Sequence, residues 1–247
     1  MTEADWDSCT DPMPMLEWLL TAAKPSDRKL RLFACACHRR VRHWAGDDND
    51  LNRAVDLMER CADGPVVGLG PEAIEQAEVE MIGPAYRGWR STPWVENAAS
   101  YAGYSATWLE WQMVEAAYDA TVPGRSADLA AARAARDLAE TAHRRALAAE
   151  RGEQCSLLRD LFGNPFRPLP PLGSALLNWN GGAVMQLARA AYEERILPEG
   201  HLDPARLAVL ADALEEAGAP EEVLAHLRAP GPHVRGCWAV DYLLGKS

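Results

Sequence analysis

Three sets of residues in this sequence have types and spacing that could carry chemistry. The first is a basic stripe. If Asp27 to about Trp44 is helical, Leu30, Phe33, Ala34, Cys37, Val41 and Trp44 share one face, and Arg28, Arg31, Cys35, His38, Arg39 and Arg42 line up nearly opposite. In that register Arg28, Arg31, Arg39 and Arg42 could dock an anion: a phosphate, a nucleic-acid backbone or the acidic face of a protein. The competing reading pairs them within the chain, for example with Glu72, Glu75 and Glu78, and it is favoured because surface charge usually finds its counter-charge at home. Cys35 lies inside the stripe, where neighbouring cations would favour its thiolate, so it is the candidate reactive thiol. The plain alternative is an inert helix cysteine. Cys35 and Cys37 point about 200° apart on a helix and cannot easily share a metal or a disulfide.

The second set is His233 and Cys237, which at i,i+4 could ligate one metal from one helical face, with Cys9, Cys61 or His226 completing the site. No second pair with ligand spacing and no CxxC accompanies them, so the sequence assigns neither a metal nor any other cofactor. The bland reading is a helix-start histidine and a core cysteine. The third is Asp241, which Val234, Cys237, Trp238, Val240, Tyr242 and Leu244 surround in helical projection. A carboxylate in an apolar stripe is expensive unless paired, so it is expected to meet an arginine, with Arg235, Arg31 and Arg167 as candidates, or to cap backbone amides. No GxSxG, P-loop, GxGxxG, HExxH or EF-hand loop occurs, so no catalytic residue is assigned.

The elements that must position these residues read as helices nearly throughout, so an all-α, multi-helix bundle is expected. Asp11-Pro12 opens one helix, Ser26 caps the next, Asp50 a third and Pro71 a fourth. From Thr92-Pro93 a long helix runs to about Ala120, with Trp94, Tyr101, Tyr104, Trp108, Trp111 and Tyr118 on one third of its circumference. An alanine-rich helix follows from Ser126 to Glu150, giving a central hairpin in which large side chains lie on small ones. A separate short helix is expected over Gln154 to Phe162, and a last one over His233 to Leu244. No period-2 alternation supports a sheet. The organisation expected is a bundle over 1–162 that includes the 93–150 hairpin, a stiff Pro-rich crossing over 163–173, and a helical cap over 174–247 that packs back on the N-terminal part.

Four strings stand out together. They begin at Cys9-Thr10-Asp11-Pro12, at Ser26-Asp27-Arg28-Lys29-Leu30-Arg31-Leu32-Phe33-Ala34-Cys35-Ala36-Cys37, at Leu158-Arg159-Asp160-Leu161-Phe162-Gly163-Asn164-Pro165, and at Gly231-Pro232-His233-Val234-Arg235-Gly236-Cys237-Trp238. The chain thereby resembles an uncharacterised, heavily paralogous family of bacterial proteins with such terminal blocks around an Ala/Trp-rich middle. The resemblance implies an architecture and no established activity. Where the family often has a third cysteine, this chain has His38.

Composition narrows the function classes. A length of 247 residues with 48% hydrophobic and 25% charged residues excludes a disordered tail, a collagen-like repeat and a disulfide-stapled mini-protein. The net charge of −11 argues against a general nucleic-acid or anionic-membrane binder. No apolar run approaches the ~20 residues of a membrane span, and Met1 to Asp11 is acidic where a secretory signal would be basic, so a cytoplasmic protein is expected, with its six cysteines as free thiols. The function expected is a helical protein-interaction or regulatory module with an unidentified protein partner. The alternative is a thiol or metal sensor, or an enzyme, centred on Cys35, Asp241 and His233. A weaker alternative is a nucleic-acid-associated protein using the Arg28–Arg42 stripe.

Overall fold

A computed structural model describes residues 1–41, 49–64, 70, 72–73, 108–120 and 129–246. Among these the protein is all-α, with eleven α-helices. Helix α1 (Glu3–Ser8) is fixed by a reciprocal cap: the Thr2 hydroxyl accepts from the Asp5 amide at 3.2 Å, and the Asp5 carboxylate accepts from the Thr2 amide at 2.7 Å. This helix was not anticipated, and it buries Trp6. Asp11 caps α2 (Pro12–Trp18), and the chain continues as one π-helical turn before α3 (Asp27–Val41) and α4 (Asn49–Ala62). Two elements make the hairpin: α5 (Trp108–Ala120) packs along α6 (Leu129–Phe162).

Helix α6 is continuous over 34 residues, where the sequence suggested a break near Gly152. The reason lies in what surrounds that turn. Glu150 and Gln154 are buried polar residues, and Arg40 of α3 donates to Glu150 at 3.1 Å, so the polar stretch is an inward-facing seam. Helix α6 stops at Gly163, whose φ of +64° suits a left-handed C-terminal position and whose amide bonds back to Arg159. Trp238 lies within 3.1–3.3 Å of where a Cβ on Gly163 would stand, so the stop also makes room for the return of the chain.

After the non-helical 163–173 segment, which turns at Pro165 and Phe166, come α7 (Ser174–Leu177), a 3-10 turn, α8 (Ala183–Glu193), α9 (Pro204–Glu216), α10 (Glu221–Arg228) and α11 (Trp238–Leu244). Between α8 and α9, two two-residue strands pair antiparallel, β1 (Arg195–Ile196) with β2 (His201–Leu202), the one small departure from pure helix among the described residues. Helix α11 begins five residues later than the sequence suggested. His233 and Val234 are extended: Leu202 donates to the His233 carbonyl at 2.8 Å, and Val234 bridges to His201. Gly236 then turns at φ +89°, and a Cβ there would meet Leu32 at 2.6 Å and Leu161 at 2.9 Å.

Two hydrophobic clusters result. One gathers Trp6, Leu16, Phe33, Leu158 and Leu161 from the first helices and the end of α6; the other gathers Val184, Leu207, Leu210, Leu214, Val223 and Val240. The Gly236 turn carries the chain between them. The proposed aromatic face of the hairpin falls largely outside the described residues, since Trp94, Tyr101 and Tyr104 and the side chains of Trp108 and Trp111 are not among them. Tyr118 is 60% exposed.

Candidate functional site

Helix α3 puts its arginines against carboxylates of this chain. Arg28 grips Asp241 with two nitrogens, at 2.7 and 2.9 Å, and donates to Asp63 at 3.1 Å. Arg39 grips Glu59 of α4 at 2.7 and 2.8 Å, reaches Asp56 at 2.6 Å, and donates to the Pro198 carbonyl. Arg195 adds a third bond to Glu59 at 2.8 Å. Burial raises the Glu59 carboxyl, but Arg39 and Arg195 outweigh it and hold the group below its ordinary range. Among the described residues, the acids that meet Arg28 and Arg39 are Asp56, Glu59, Asp63 and Asp241; Glu75 and Glu78, named from the sequence as partners, lie outside the described residues. Arg31 is half-buried, and Arg42 lies outside the described residues. Cys35 is wholly buried, its thiol facing the Val55 carbonyl at 3.8 Å. Burial, with the Glu59 charge adding to it, pushes that thiol well above its ordinary range.

Asp241 sits at the centre of a charged junction between α3 and α11. Its partners are Arg28 and Lys29, where the sequence pointed to Arg235, Arg31 or Arg167. The Lys29 ammonium uses all three donors, on Asp241 at 2.6 Å, the Gly236 carbonyl at 2.6 Å and the Leu161 carbonyl at 2.8 Å. Burial lowers the Lys29 pKa, and the pull of Asp241 offsets only part of that. Asp63, at the end of α4, gathers a second set. Tyr192 of α8 donates to it at 2.7 Å, Lys246 at 2.9 Å, and Arg235 through two nitrogens. Lys246 also lies 4.3 Å over the Tyr192 ring. Burial raises the Asp63 carboxyl, but the bonds from Tyr192 and Lys246 and the charge of Arg235 hold it well below the carboxylate range.

A different cluster forms one turn away. His233 and Cys237 are brought together with His226 of α10 and with Asp160 of α6, but by the Gly236 turn and not by helical spacing. His233 Nδ1 stands 2.8 Å from Asp160 Oδ1; His226 Nε2 stands 3.1 Å from the same oxygen and 3.2 Å from Cys237 Sγ. All four donor atoms lie within 4.8 Å of one another. Around them, His233 Nε2 faces the Ala229 carbonyl at 3.1 Å, and the Val234 amide donates to Asp160 Oδ2 at 2.9 Å. Burial pushes the Cys237 thiol well above its ordinary range. Burial raises the Asp160 carboxyl, but the two histidines outweigh it and lower it. In return, burial lowers His233 and the bond to Asp160 overcomes this, leaving its pKa raised.

This is not a nucleophile–base–acid relay. Such a relay needs the carboxylate on one ring nitrogen of the histidine and the thiol on the other, whereas His226 turns the same Nε2 to both Asp160 and Cys237. Asp241, Lys29, Trp238 and Lys246 line a cavity of about 410 Å³ whose lining does not include Arg28, Cys35 or Arg39.

Asp63, Tyr192 and Asp160 escaped sequence reasoning. Asp63 reads as a solvated turn residue. Asp160 carried a usable signal: it falls among Leu157, Leu158 and Leu161 just as Asp241 falls within its own apolar stripe. Comparison with family models, with curated proteins and with solved structures finds no match to this chain.

Proposed function

We propose that this is a cytoplasmic protein-interaction or regulatory module in which a base built on α3, α6 and the C-terminal helices carries a helical arm that docks a protein partner. The observation that supports this most is the arm's surface. Among residues 130–149 of α6 only Ala132 and Ala139 are buried, and Met113, Tyr118 and Leu138 of the hairpin are 59%, 60% and 73% exposed. In the base, Arg28, Arg39, Asp63 and Asp241 are used on one another, and the exposed large apolar residues Ile196, Leu197 and Val209 lie outside any such stretch of exposed helix. Of the residues in the sensor or enzyme alternative, Cys35 is sealed in the core and Asp241 is held by Arg28 and Lys29, leaving His233 among metal-type donors. The nucleic-acid alternative loses Arg28 and Arg39 to internal carboxylates. Among the described residues no helix is long and apolar enough to cross a membrane.

The test is site-specific photo-crosslinking in the native host. A photoreactive residue at Met113 or Leu138 is expected to capture one discrete protein, and the same residue at Val209, an exposed apolar position on α9, is expected not to. Capture from neither arm position, or equal capture from Val209, would contradict the reading.

A further inference from the structure

We propose that Asp160, His226, His233 and Cys237 bind one divalent transition-metal ion of the zinc class, in a closed four-ligand site that staples α6 to the C-terminal helices. The donor set is Oδ1, Nε2, Nδ1 and Sγ. With metal–ligand bonds of about 2.0–2.3 Å, a tetrahedral site has edges of roughly 3.3–3.7 Å between donors. Three of the six donor–donor contacts are 2.8, 3.1 and 3.2 Å and all lie within 4.8 Å, so the close contacts need to open by a few tenths of an ångström and the widest to close by about one ångström to seat the ion.

Protons serve this arrangement poorly. His226 Nε2 carries at most one hydrogen yet faces both a carboxylate oxygen and a sulfur. One cation at the centre satisfies all four atoms at once. The surroundings are those of a ligand set held in place: the Ala229 carbonyl takes the far nitrogen of His233, which leaves Nδ1 as the ligating atom, and the Val234 amide fixes the second oxygen of Asp160. Two imidazoles, a thiolate and a carboxylate suit zinc and do not suit magnesium or calcium, which take oxygen ligands.

Charge balance fits burial. The ion's two positive charges meet the Asp160 carboxylate and the Cys237 thiolate, and binding sends the thiol proton to solvent. Four protein ligands leave no open position, so the role is structural. The ligands come from far apart, Asp160 lying 66 residues before His226 and 73 before His233, so the ion would tie the two hydrophobic clusters together.

The experiment uses the untagged full chain grown in zinc-replete medium. Elemental analysis after dialysis is expected to find one zinc per chain. Replacement by Co²⁺ is expected to give visible tetrahedral bands and a near-ultraviolet thiolate-to-cobalt charge-transfer band. Cys237→Ser should abolish that band, and Cys237→Ser and His226→Ala should each weaken zinc binding by at least the roughly 10–100-fold that loss of an outer-shell partner costs. If either variant does not fold by circular dichroism, the wild-type cobalt spectrum still decides. Zinc no higher than in a buffer blank, or bound cobalt without the charge-transfer band, would overturn the proposal.

Discussion

Asp241 and Asp160 are both buried at the junction between the two hydrophobic clusters, and they are neutralised by opposite means. Asp241 meets Lys29 and Arg28, and the guanidinium charge of Arg28 persists at any ordinary pH. Asp160 meets two imidazoles and lies beside a thiol, donor types that can give up a proton to a metal. The first arrangement is a lock with one state. The second changes with what occupies it. A chain with permanent cations to spare around Asp63 and Asp241 had no need of histidine and cysteine around Asp160 merely to cover a carboxylate, and that contrast is the physical case for an ion there.

The contrast can be broken most forcefully at Asp241. Asp241→Asn leaves Lys29 buried without an anion and Arg28 with Asp63 alone, and is expected to cost about 3–5 kcal/mol by denaturant unfolding, equally with and without chelator. Unchanged stability would mean that the buried pair does not hold the junction.

A smaller effect is expected at the turn that links the two centres. Gly236→Ala puts a methyl against Leu32 and Leu161 at a positive φ, and about 1–3 kcal/mol should be lost. It should also lower zinc retention, because Cys237 follows directly; loss of stability with zinc untouched would show that the turn and the ligand set are independent.

Asp63 gives the smallest and most pH-dependent change. Its folded-state pKa lies below the unfolded value of about 3.9. The stability it contributes is therefore complete above that value and is lost as pH falls through and below it. Asp63→Asn should cost about 1–2 kcal/mol at pH 7, since the Asp63 side chain keeps only 14% of its surface open to solvent and the asparagine can still accept some of the same hydrogen bonds. The gap in Tm to the wild type should begin to narrow below about pH 4 and go on narrowing as the pH falls further. A gap that stays constant with pH would assign the loss to shape and not to charge.

The helical class was legible because capping residues, prolines and apolar spacing agree along the chain: Asp11-Pro12 and Asp203-Pro204 open helices as such pairs should. Asp241 was legible as a buried carboxylate because its neighbours in projection are apolar. Its partners were not, since Arg28 lies 213 residues away and nothing local links them. The last helix was overextended because Pro232 and Gly236 look tolerable near a helix start. In fact the bridge from Val234 to His201 and the tight approach of Leu32 hold that segment extended. The same segment explains the metal-type cluster. His233 and Cys237 were visible for the wrong geometric reason, and nothing local links Asp160 to them, since it lies 66 residues before His226 and 73 before His233.

The most direct test is the native mass spectrum of the untagged protein from its own host. The account expects a single species heavier than the chain by one zinc ion less two protons, collapsing to the bare mass on acidification. A spectrum of bare chain at neutral pH, from cells grown with ample zinc, would contradict it and leave Asp160 as a carboxylate covered by protons alone.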